Sequence, residues 1–438
     1  MTSNAPHPTE AFVWIWLPGA VEPVVAGRLF TEGDTLRFNY GQSYLKRENA
    51  IPLYEPELPL REGELPLLPG LSMPSCLRDG APDAWGRRVI INRMLGAKGA
   101  NAQPPQLDEL TYLLESGSDR IGALDFQASP RDYVPRSPTN ASLDELLTAA
   151  ALVEQGVPLT PELDQALHHG TSIGGARPKA LIEDGTRKYV AKFSSGADIY
   201  SVVKGEFIAM RLAERCGLSV APVRLQRASG KDVLLIERFD RAQTPDGWGR
   251  RSMVSALTLF GLDEMMARYA SYQDLAEIIR HKFADVTSTL HELFARMVFN
   301  ILVGNTDDHA RNHSAFWDGR LLTLTPAYDI CPQPRTGNEA TQAMLIHGEN
   351  RLSQIATCLD AAPAFRLTTA EATEIVERQM TTMGANWDQL CDEAHLTQTD
   401  RALFAGRQFL DPFAFENLPP ETGHLQTLAS DVRKKLLG

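Results

Sequence analysis

The sequence has few cysteines, no long apolar run and no excess of positive charge. Its five cysteines are scattered along 438 residues and form no C-x-x-C pair, which argues against a disulfide scaffold or a thiolate metal site. No apolar stretch approaches the roughly 20 residues that a membrane-spanning helix needs. The net charge of −12 disfavours unaided binding to nucleic acid or to anionic membranes. We therefore expect a soluble, cytoplasmic protein.

The chain is too long for one small core, so several packed segments are expected. Its 43% apolar and 22% charged residues are typical of ordered globular proteins. Prolines at 130, 135 and 138, with Ser, Asn and Thr between them, indicate a linker between residues 129 and 142. The predicted segments are residues 1–135, 142–245 and 246–438.

Hydrophobic periodicity predicts an α+β fold. Apolar or alternating runs at 12–17, 24–30 and 35–40 indicate a small antiparallel sheet, followed by helices at 83–95 and 107–115. Strand-like runs recur at 188–193 and 223–239, with a helical pattern at 203–216 between them. From residue 271 onward the periodicity is mostly helical. A small sheet-containing lobe therefore precedes a larger helical lobe.

A loop of small residues precedes the strand that ends in Lys192. Its glycines would let backbone N–H groups approach an anion, although a Gly-Gly pair is also an ordinary turn. A lysine at the end of an apolar strand suits contact with nucleotide phosphates. The loop consists of Thr171, Ser172, Ile173, Gly174, Gly175, Ala176, Arg177, Pro178 and Lys179.

Two further elements follow Lys192 in an order typical of kinases. Glu206 lies at helical spacing with Val203 and Met210, so its carboxylate lies on or beside the buried face and needs a partner such as Lys192. The apolar strand before Glu237 ends in charged residues and suits a hinge whose backbone reads an adenine edge. A boundary carboxylate and an edge strand with a surface ion pair are the ordinary alternatives.

The strongest motif lies between residues 305 and 312. Asp307 and Asn312 have the Asp-x-x-x-x-Asn spacing of a kinase catalytic loop, in which the aspartate accepts a hydroxyl proton and the asparagine binds magnesium. Asp308 is outside that register. Asp329, beyond the next strand-like run, supplies a carboxylate suited to a second Mg²⁺ ligand. Six such elements in kinase order predict ATP- and Mg²⁺-dependent phosphoryl transfer.

A competing interpretation groups several of the same residues around a transition metal. Two histidines at i and i+4 can share one helical face. The sequence lacks the acid that follows the first histidine of a zincin helix, and this interpretation gives Lys192 and Glu206 no role. The cluster would consist of Asp307, Asp308, His309 and His313.

Together these motifs resemble the HipA-like kinases, bacterial Ser/Thr kinases that act as toxins of type II toxin-antitoxin systems. The resemblance extends over nearly the whole chain. It implies a two-lobed, protein-kinase-like fold with an additional N-terminal α/β subdomain and a mostly helical C-terminal lobe. The residues that carry it are 172–179, Lys192, Glu206, 237–241, 306–312 and 328–330, with 117–124 in the N-terminal region.

The resemblance also implies roles for individual residues. Asp307 would be the catalytic base, and Asn312 and Asp329 would hold magnesium. Ser172 would be autophosphorylated, with Thr171 as the rival acceptor. The ATP site would be lined by Gly174, Gly175, Ala176, Arg177, Pro178, Lys179, Lys192, Glu206, Glu237, Arg238, Phe239, His309 and Tyr328.

Substrates and partners follow from the resemblance alone. It implies phosphorylation of a protein such as an aminoacyl-tRNA synthetase, growth arrest, and a small HipB-like antitoxin as partner. Residues between Gly174 and Lys179 depart from those of better-studied members. No basic helix-turn-helix is evident, so we expect neither direct nucleic-acid contact nor membrane binding. A small-molecule phosphotransferase and an ATP-binding pseudokinase are the alternative functions, although Asp307, Asn312 and Asp329 are all present.

Overall fold

The computed structural model of the chain describes residues 7–95, 107–136, 141–196, 198–335 and 337–437. Its elements belong to two units. The first unit comprises Met1–Ala197, Gln226–Val254 and Phe316–Arg320. The second comprises Asp198–Leu225, Ser255–Ala315 and Leu321–Gly438. Residues 137–140 of the predicted linker lie outside the described residues.

The first unit begins with the predicted antiparallel sheet. Its strands are β1 (Glu10–Ile15), β2 (Val24–Glu32), β3 (Thr35–Tyr40) and β4 (Leu124–Gln127), in the order β3-β2-β1-β4. Alternation places Leu36, Phe38 and Tyr40 of β3 on the buried face. The accompanying helices are α1 (Gln42–Leu45), α2 (Ser75–Arg78), α3 (Ala84–Leu95) and α4 (Glu109–Glu115).

A second four-stranded sheet carries the glycine-rich loop and the predicted hinge. Its strands are β5 (Lys179–Asp184), β6 (Arg187–Phe193), β7 (Val223–Ala228) and β8 (Lys231–Glu237), in the order β5-β6-β8-β7. Helices α5 (Leu143–Glu154) and α6 (Pro161–His168) precede it, and α5 begins with a Ser142–Glu145 capping box. After the hinge come β9 (Arg241–Thr244), β10 (Gly247–Arg250) and β11 (Met253–Ser255).

One hydrophobic core joins the first predicted segment to the second. Trp85 and Val89 of α3 pack in the same buried cluster as Leu146 of α5 and Phe193 and Leu235 of the second sheet. Removing a buried tryptophan side chain costs about 3–5 kcal/mol. Such a core therefore contributes strongly to holding the two segments together. The predicted linker at residues 129–142 lies within the first unit, which contains the first sheet and most of the second.

The second unit is mostly helical. Its helices are α7 (Val202–Arg215), α8 (Ala256–Leu259), α9 (Tyr272–Lys282), α10 (Val286–Leu302), α11 (Ile355–Ala361), α12 (Thr369–Glu393), α13 (Gln398–Arg407) and α14 (His424–Leu437). The short strands β12 (Ser314–Trp317) and β13 (Leu322–Leu324) lie where the chain passes between the units. Leu290, Leu293, Met297 and Ile301 form the predicted buried stripe of α10. Among the described residues, none of the helices combines the length and apolar character needed to cross a bilayer.

Candidate functional site

The predicted site residues are divided between the two units, and in the first unit they begin with the glycine-rich loop. This loop is docked on the N-terminal end of α3. Gly175 has a φ of +100°, and its N–H donates to Asp83 Oδ2 at 2.7 Å. The backbone N–H of Trp85 donates to the Gly175 carbonyl at 3.3 Å, and its indole N–H donates to the Lys179 carbonyl at 3.0 Å. The N-terminal region thus holds both ends of the Gly175–Lys179 segment.

A helical glycine permits this close approach. A Cβ at Gly86 would lie 1.8 Å from the Thr171 carbonyl oxygen, a distance that no side chain tolerates. Thr171 is fully buried, and its Oγ1 accepts a hydrogen bond from the Gly117 N–H at 3.0 Å. The start of the loop is therefore fixed by two parts of the N-terminal region that are distant in sequence.

Gly86→Ala is expected to destabilise the first unit and loosen the loop. Overpacking of this kind costs about 1–3 kcal/mol. The matched control is Gly406→Ala, another helical glycine, because a Cβ there would meet nothing within 4 Å. Denaturant unfolding measures the loss of stability. Hydrogen exchange of the backbone amides of residues 171–179 measures the loosening of the loop. Equal unfolding midpoints and equal exchange rates for the two variants would contradict the docking described here.

Two lysines face each other across the strands that follow the loop. Lys179 of β5 and Lys192 of β6 are register partners, so their side chains leave the same face of the sheet. They are 3% and 8% exposed, and the Lys179 ammonium donates to the Gly174 carbonyl. Two ammonium groups on one face of the sheet, beside a glycine-rich loop, suit contact with an anion.

The other loop residues differ in accessibility. Ser172 is 1% exposed, and its hydroxyl makes no hydrogen bond within the described residues. Ala176 is exposed and Arg177 is half-buried. Pro178 is buried, and its carbonyl accepts from the Phe193 N–H at 3.0 Å. In this conformation, Ser172 is closed to solvent while the tip of the loop is open.

The predicted hinge lies at the end of β8. The Glu237 carboxylate pairs with Arg187 at 2.9 Å, and the Phe239 ring packs edge-to-face on Phe316. Arg238 is 6% exposed, and its guanidinium is bound to the carboxylates of Asp119 and Asp240. The Arg238 side chain is therefore engaged within the first unit. The backbone of residues 237–239 remains the part of the hinge that is predicted to contact an adenine edge.

In the second unit, the catalytic-loop motif follows α10. A 3-10 turn over Ala310–Asn312 begins at His309, whose carbonyl accepts from the Asn312 N–H at 2.8 Å. The Asn312 side-chain NH₂ donates to the Asp307 carbonyl at 3.2 Å. This orientation makes the amide oxygen the part of Asn312 suited to a cation. The Asp307 side chain is exposed at the head of the loop.

Asp308, which the motif spacing left without a role, anchors this loop. It is 2% exposed, and its Oδ2 atom accepts hydrogen bonds from the Tyr272 hydroxyl and, at 2.9 Å, from the Asn300 amide. His313 Nε2 lies 3.0 Å from the same oxygen. Burial and the neighbouring Asp308 carboxylate raise the pKa of Tyr272 well above its usual value, which keeps the phenol a donor. The backbone next to Asp307 is therefore held from inside the unit.

The same network reaches the Asp329 loop. Asn305 Nδ2 donates to Asn300 Oδ1 at 2.9 Å and lies 3.5 Å from the Asp329 carbonyl. Asp329 adopts a φ of +59°, a left-handed conformation that aspartate tolerates better than most residues. Strained positions of this kind often occur at functional sites. We call Tyr272, Asn300, Asn305, Asp308 and His313 the loop-anchor network.

The carboxylates of Asp307 and Asp329 lie close enough to influence each other. Although the Asp307 side chain reaches the surface, partial desolvation by the surrounding protein raises its pKa above the usual value. His309 opposes that change, and the negative charges of Asp329 and Asp308 add to it. Carboxylate and amide oxygens are the donors that Mg²⁺ prefers, so Asp329 and Asn312 fit this ion. The arrangement of the second unit therefore favours a bound cation beside Asp307.

The remaining predicted residues of the second unit lie as follows. The Tyr328 hydroxyl donates to the Arg311 carbonyl at 2.6 Å and lies 2.6 Å from Ser314 Oγ, so it helps to close the loop. His309 is half-buried, and its Nδ1 atom makes no hydrogen bond within the described part of the chain. Glu206 is 2% exposed on α7.

The transition-metal interpretation is wrong. His313 and Asp308 form a buried pair inside the loop-anchor network. Over the residues that the structure describes, no three His, Cys, Asp or Glu side chains are grouped to hold a metal ion. A magnesium site needs fewer protein ligands and accepts an asparagine oxygen, so this finding does not concern Asn312 and Asp329.

Comparison with known proteins is consistent with this geometry. The profile of the HipA-like C-terminal domain matches residues 171–387, and that of the HipA N-terminal domain matches residues 18–127. The structure of Shewanella oneidensis HipA, determined in a complex with HipB and operator DNA, superposes with a TM-score of 0.61 at 18% identity. The match covers 97% of this chain and 96% of that chain. The fold is therefore the α+β, kinase-like fold of HipA.

Sequence relatives carry kinase names. Y4mE of Sinorhizobium fredii, described as a candidate kinase, is 26% identical over 322 residues, which are 68% of this chain and 72% of that protein. The Ser/Thr-protein kinase toxin HipA of Shewanella oneidensis is 26% identical over 186 residues, 36% of this chain and 42% of that protein. The chain is a kinase-like phosphotransferase. It belongs to the HipA-like kinase family.

Proposed function

We propose that the protein is an ATP- and Mg²⁺-dependent Ser/Thr protein kinase of the HipA toxin type. The observation that carries this proposal is the arrangement of the second unit, where one buried network holds the Asp307 loop and the Asp329 loop together. Both carboxylates and the Asn312 amide belong to that arrangement.

Asp307 acts as the general base. The acceptor hydroxyl oxygen attacks the γ-phosphorus of ATP, the bond from that phosphorus to the β–γ bridging oxygen breaks, and ADP leaves. The hydroxyl proton passes to the Asp307 carboxylate. Exposure of Asp307 at the head of its loop allows a protein hydroxyl to approach. Catalysis rests mainly on positioning and electrostatics.

Asn312 and Asp329 hold the magnesium ion. When bound, it neutralises charge on the phosphates of ATP. The residues of this chain orient those two ligands: Asn305 lies beside the Asp329 carbonyl, and the Asp307 carbonyl holds the Asn312 side-chain NH₂. His309 Nδ1, without a hydrogen bond in the described structure, is available to the nucleotide.

Residues of the first unit supply contacts to the phosphates and to the base. The facing lysines Lys179 and Lys192 steady the phosphates, together with the backbone of Gly174–Arg177. The backbone of residues 237–239 reads the adenine edge. Glu206, which lies on α7 of the second unit, is a buried carboxylate of the kind that partners the kinase lysine.

Ser172 is the autophosphorylation site. A phosphoserine adds a charge of about −1.5 to −2 next to a cradle for anionic phosphates, which disfavours ATP binding. Ser172 is buried here, so the loop must leave α3 before its hydroxyl can react. Thr171, which is equally buried and hydrogen-bonded to Gly117, is the less accessible acceptor.

The proposed biological role is that of the HipA-like family. The relative from Shewanella forms a complex with HipB and operator DNA, which supports a small antitoxin as partner of this chain. The substrate is a cytoplasmic protein, with an aminoacyl-tRNA synthetase as the first candidate, and its phosphorylation arrests growth. DNA contact would come through the antitoxin.

Asp329→Asn is expected to raise the Mg²⁺ concentration needed for half-maximal transfer by about tenfold or more, because a neutral amide replaces a charged ligand. Titration of transfer against Mg²⁺, with removal by EDTA, measures this shift. Asp360→Asn is the control, since Asp360 is exposed and outside the loop-anchor network. An unchanged Mg²⁺ requirement in Asp329→Asn would refute the assignment of this ligand.

The most informative experiment is incubation of the protein with labelled ATP and Mg²⁺ in a cell lysate, followed by identification of the labelled residue. Label on Ser172 or on a synthetase supports the proposal. Label on a sugar or aminoglycoside, with none on protein, identifies a small-molecule phosphotransferase. ATP binding without any transfer identifies a pseudokinase.

A further inference from the structure

A buried ionic cluster surrounds the segment that follows the hinge. Asp119 Oδ1 lies 3.0 Å from Arg238 Nη1 and 2.7 Å from Arg241 Nη2. Asp240 Oδ2 lies 2.7 Å from Arg238 Nη2 and 2.9 Å from Arg241 Nη1. The side chains of Arg238, Asp240 and Arg241 are at most 3% exposed and that of Asp119 is 20% exposed, so these four charges interact with little solvent between them.

The backbone of an N-terminal turn completes the cluster. The Gly122 N–H donates to Asp240 Oδ2 at 2.8 Å, and the Gly122 carbonyl accepts from Arg241 at 2.9 Å. The carbonyls of Asp119 and Arg120 accept from Arg238 at 3.1 and 2.7 Å. Gly122 has a φ of +75°, which favours glycine at this point of the turn. We call Asp119, Gly122, Arg238, Asp240 and Arg241 the arginine clasp.

The charges of the clasp are strongly coupled. Burial alone would raise the pKa of Asp119, but the guanidinium groups of Arg238 and Arg241 hold it well below its usual value. Arg250 and Lys188 also face this carboxylate, and Lys188 is bound to Glu183 as well. Removing one acid from such a site leaves an uncompensated buried charge, which is far more costly than losing a surface ion pair.

The arginine clasp overlaps the C-terminal end of the segment that is proposed to read the adenine. Residues 237–239 are joined directly to Asp240 and Arg241, and Arg238 belongs to both groups. The Arg238 N–H is bound to the Lys188 carbonyl of β6 at 2.8 Å, so sheet and clasp fix the same residue from two sides. A shift of about 1 Å in such a segment is enough to weaken ligand recognition.

From these contacts we infer that Asp119, a residue of the N-terminal domain, positions the hinge and thereby sets the affinity and base selectivity of the nucleotide site. Asp119 acts through Arg238 and Arg241 and is a positioning residue. This inference rests on the proposed function, because it assumes that residues 237–239 read the base. The N-terminal domain is then part of the nucleotide site and cannot be removed without altering it.

The test compares the full-length wild type with Asp119→Asn, which keeps the side-chain shape and removes the charge. Binding of ATP, GTP and magnesium tripolyphosphate is measured by calorimetry. We expect ATP affinity to fall about tenfold, the preference for ATP over GTP to fall similarly, and tripolyphosphate affinity to stay within about twofold. Asp119→Glu, which keeps the charge, should restore part of the preference.

Glu57→Gln is the matched control. Glu57 is a buried carboxylate of the N-terminal region, 5% exposed, and it binds the backbone N–H groups of Ser75 and Cys76 rather than the hinge. It should lower stability without changing the preference for ATP. If Asp119→Asn does not fold, Arg241→Lys provides a second test, because lysine keeps the charge but loses the paired contacts.

Each outcome bears on the inference. Unchanged ATP affinity and preference in Asp119→Asn would overturn it. An equal loss of tripolyphosphate affinity would also overturn it, since the whole site and not the base contact would then be affected. If the wild type binds none of the three ligands, the proposed function itself fails, and the inference fails with it.

Discussion

Asp307→Asn is expected to reduce phosphoryl transfer by about a hundredfold to ten-thousandfold, the range that a general base contributes. Asparagine keeps the size of the side chain but cannot accept the hydroxyl proton. ATP affinity should remain within about twofold, because Lys179, Lys192 and the metal ligands are unchanged. The rate is measured with γ-labelled ATP and the affinity by calorimetry.

The control for this variant is Asp388→Asn, which makes the same chemical change at a side chain that is 83% exposed. It should transfer phosphate at the wild-type rate. Normal transfer by Asp307→Asn would show that another group accepts the proton. Loss of both transfer and ATP binding would place Asp307 among the groups that hold the nucleotide.

Asp308→Ala is expected to have the largest effect on stability near the site. Its removal leaves the Tyr272, Asn300 and His313 donors buried without their acceptor. Each unsatisfied buried donor costs about 1–3 kcal/mol, so the free energy of unfolding should fall by several kcal/mol. Transfer by the folded fraction should also fall, by about tenfold or more, because the backbone of Asp307 loses its anchor.

A second buried polar residue separates the two effects. Gln379 is 1% exposed and donates to the Ala295 carbonyl at 2.8 Å, not to the catalytic loop. Gln379→Ala should therefore lower stability while leaving transfer per folded molecule unchanged. Unfolding curves and rates normalised to the folded fraction measure both variants. An Asp308→Ala protein with normal stability and normal transfer would contradict the role of the loop-anchor network.

Much of the fold could be predicted from local pattern. Alternating burial in β3 and the spacing of Leu290, Leu293, Met297 and Ile301 in α10 reflect the periods of a strand and a helix. Phosphoryl-transfer chemistry was predictable as well, because Asp307 and Asn312 belong to one short loop with fixed spacing. Periodicity and loop spacing are local properties, which a sequence displays directly.

What escaped prediction depends on contacts between distant residues. Asp308 meets Tyr272 across 36 residues, and Gly86 meets the carbonyl of Thr171 across an even longer separation. Asn300 gave a signal, since a polar side chain on the buried face of α10 needs a partner. Gly86 inside a helix gave another, because such glycines often mark a close approach. Neither signal identifies the residue that Asn300 or Gly86 contacts.

The role of Arg238 illustrates the same limit. Its position in the hinge suggested contact with the nucleotide. Only the structure shows that its guanidinium is bound to the carboxylate of Asp119. The predicted domain boundary shows a related limit. The composition of residues 129–142 indicates a linker. Trp85 of α3 nevertheless packs in the same buried cluster as residues of the second sheet. Local composition cannot report a core shared by two segments.

The most direct test of the account is a crystal structure with Mg²⁺ and a non-hydrolysable ATP analogue. We predict that the Asn312 amide oxygen and the Asp329 carboxylate bind the ion at about 2.0–2.1 Å. The γ-phosphate should lie beside Asp307, with Lys192 on the phosphates and the adenine at residues 237–239. A nucleotide bound elsewhere, or an ion that touches neither Asn312 nor Asp329, would contradict the assignment of a kinase site.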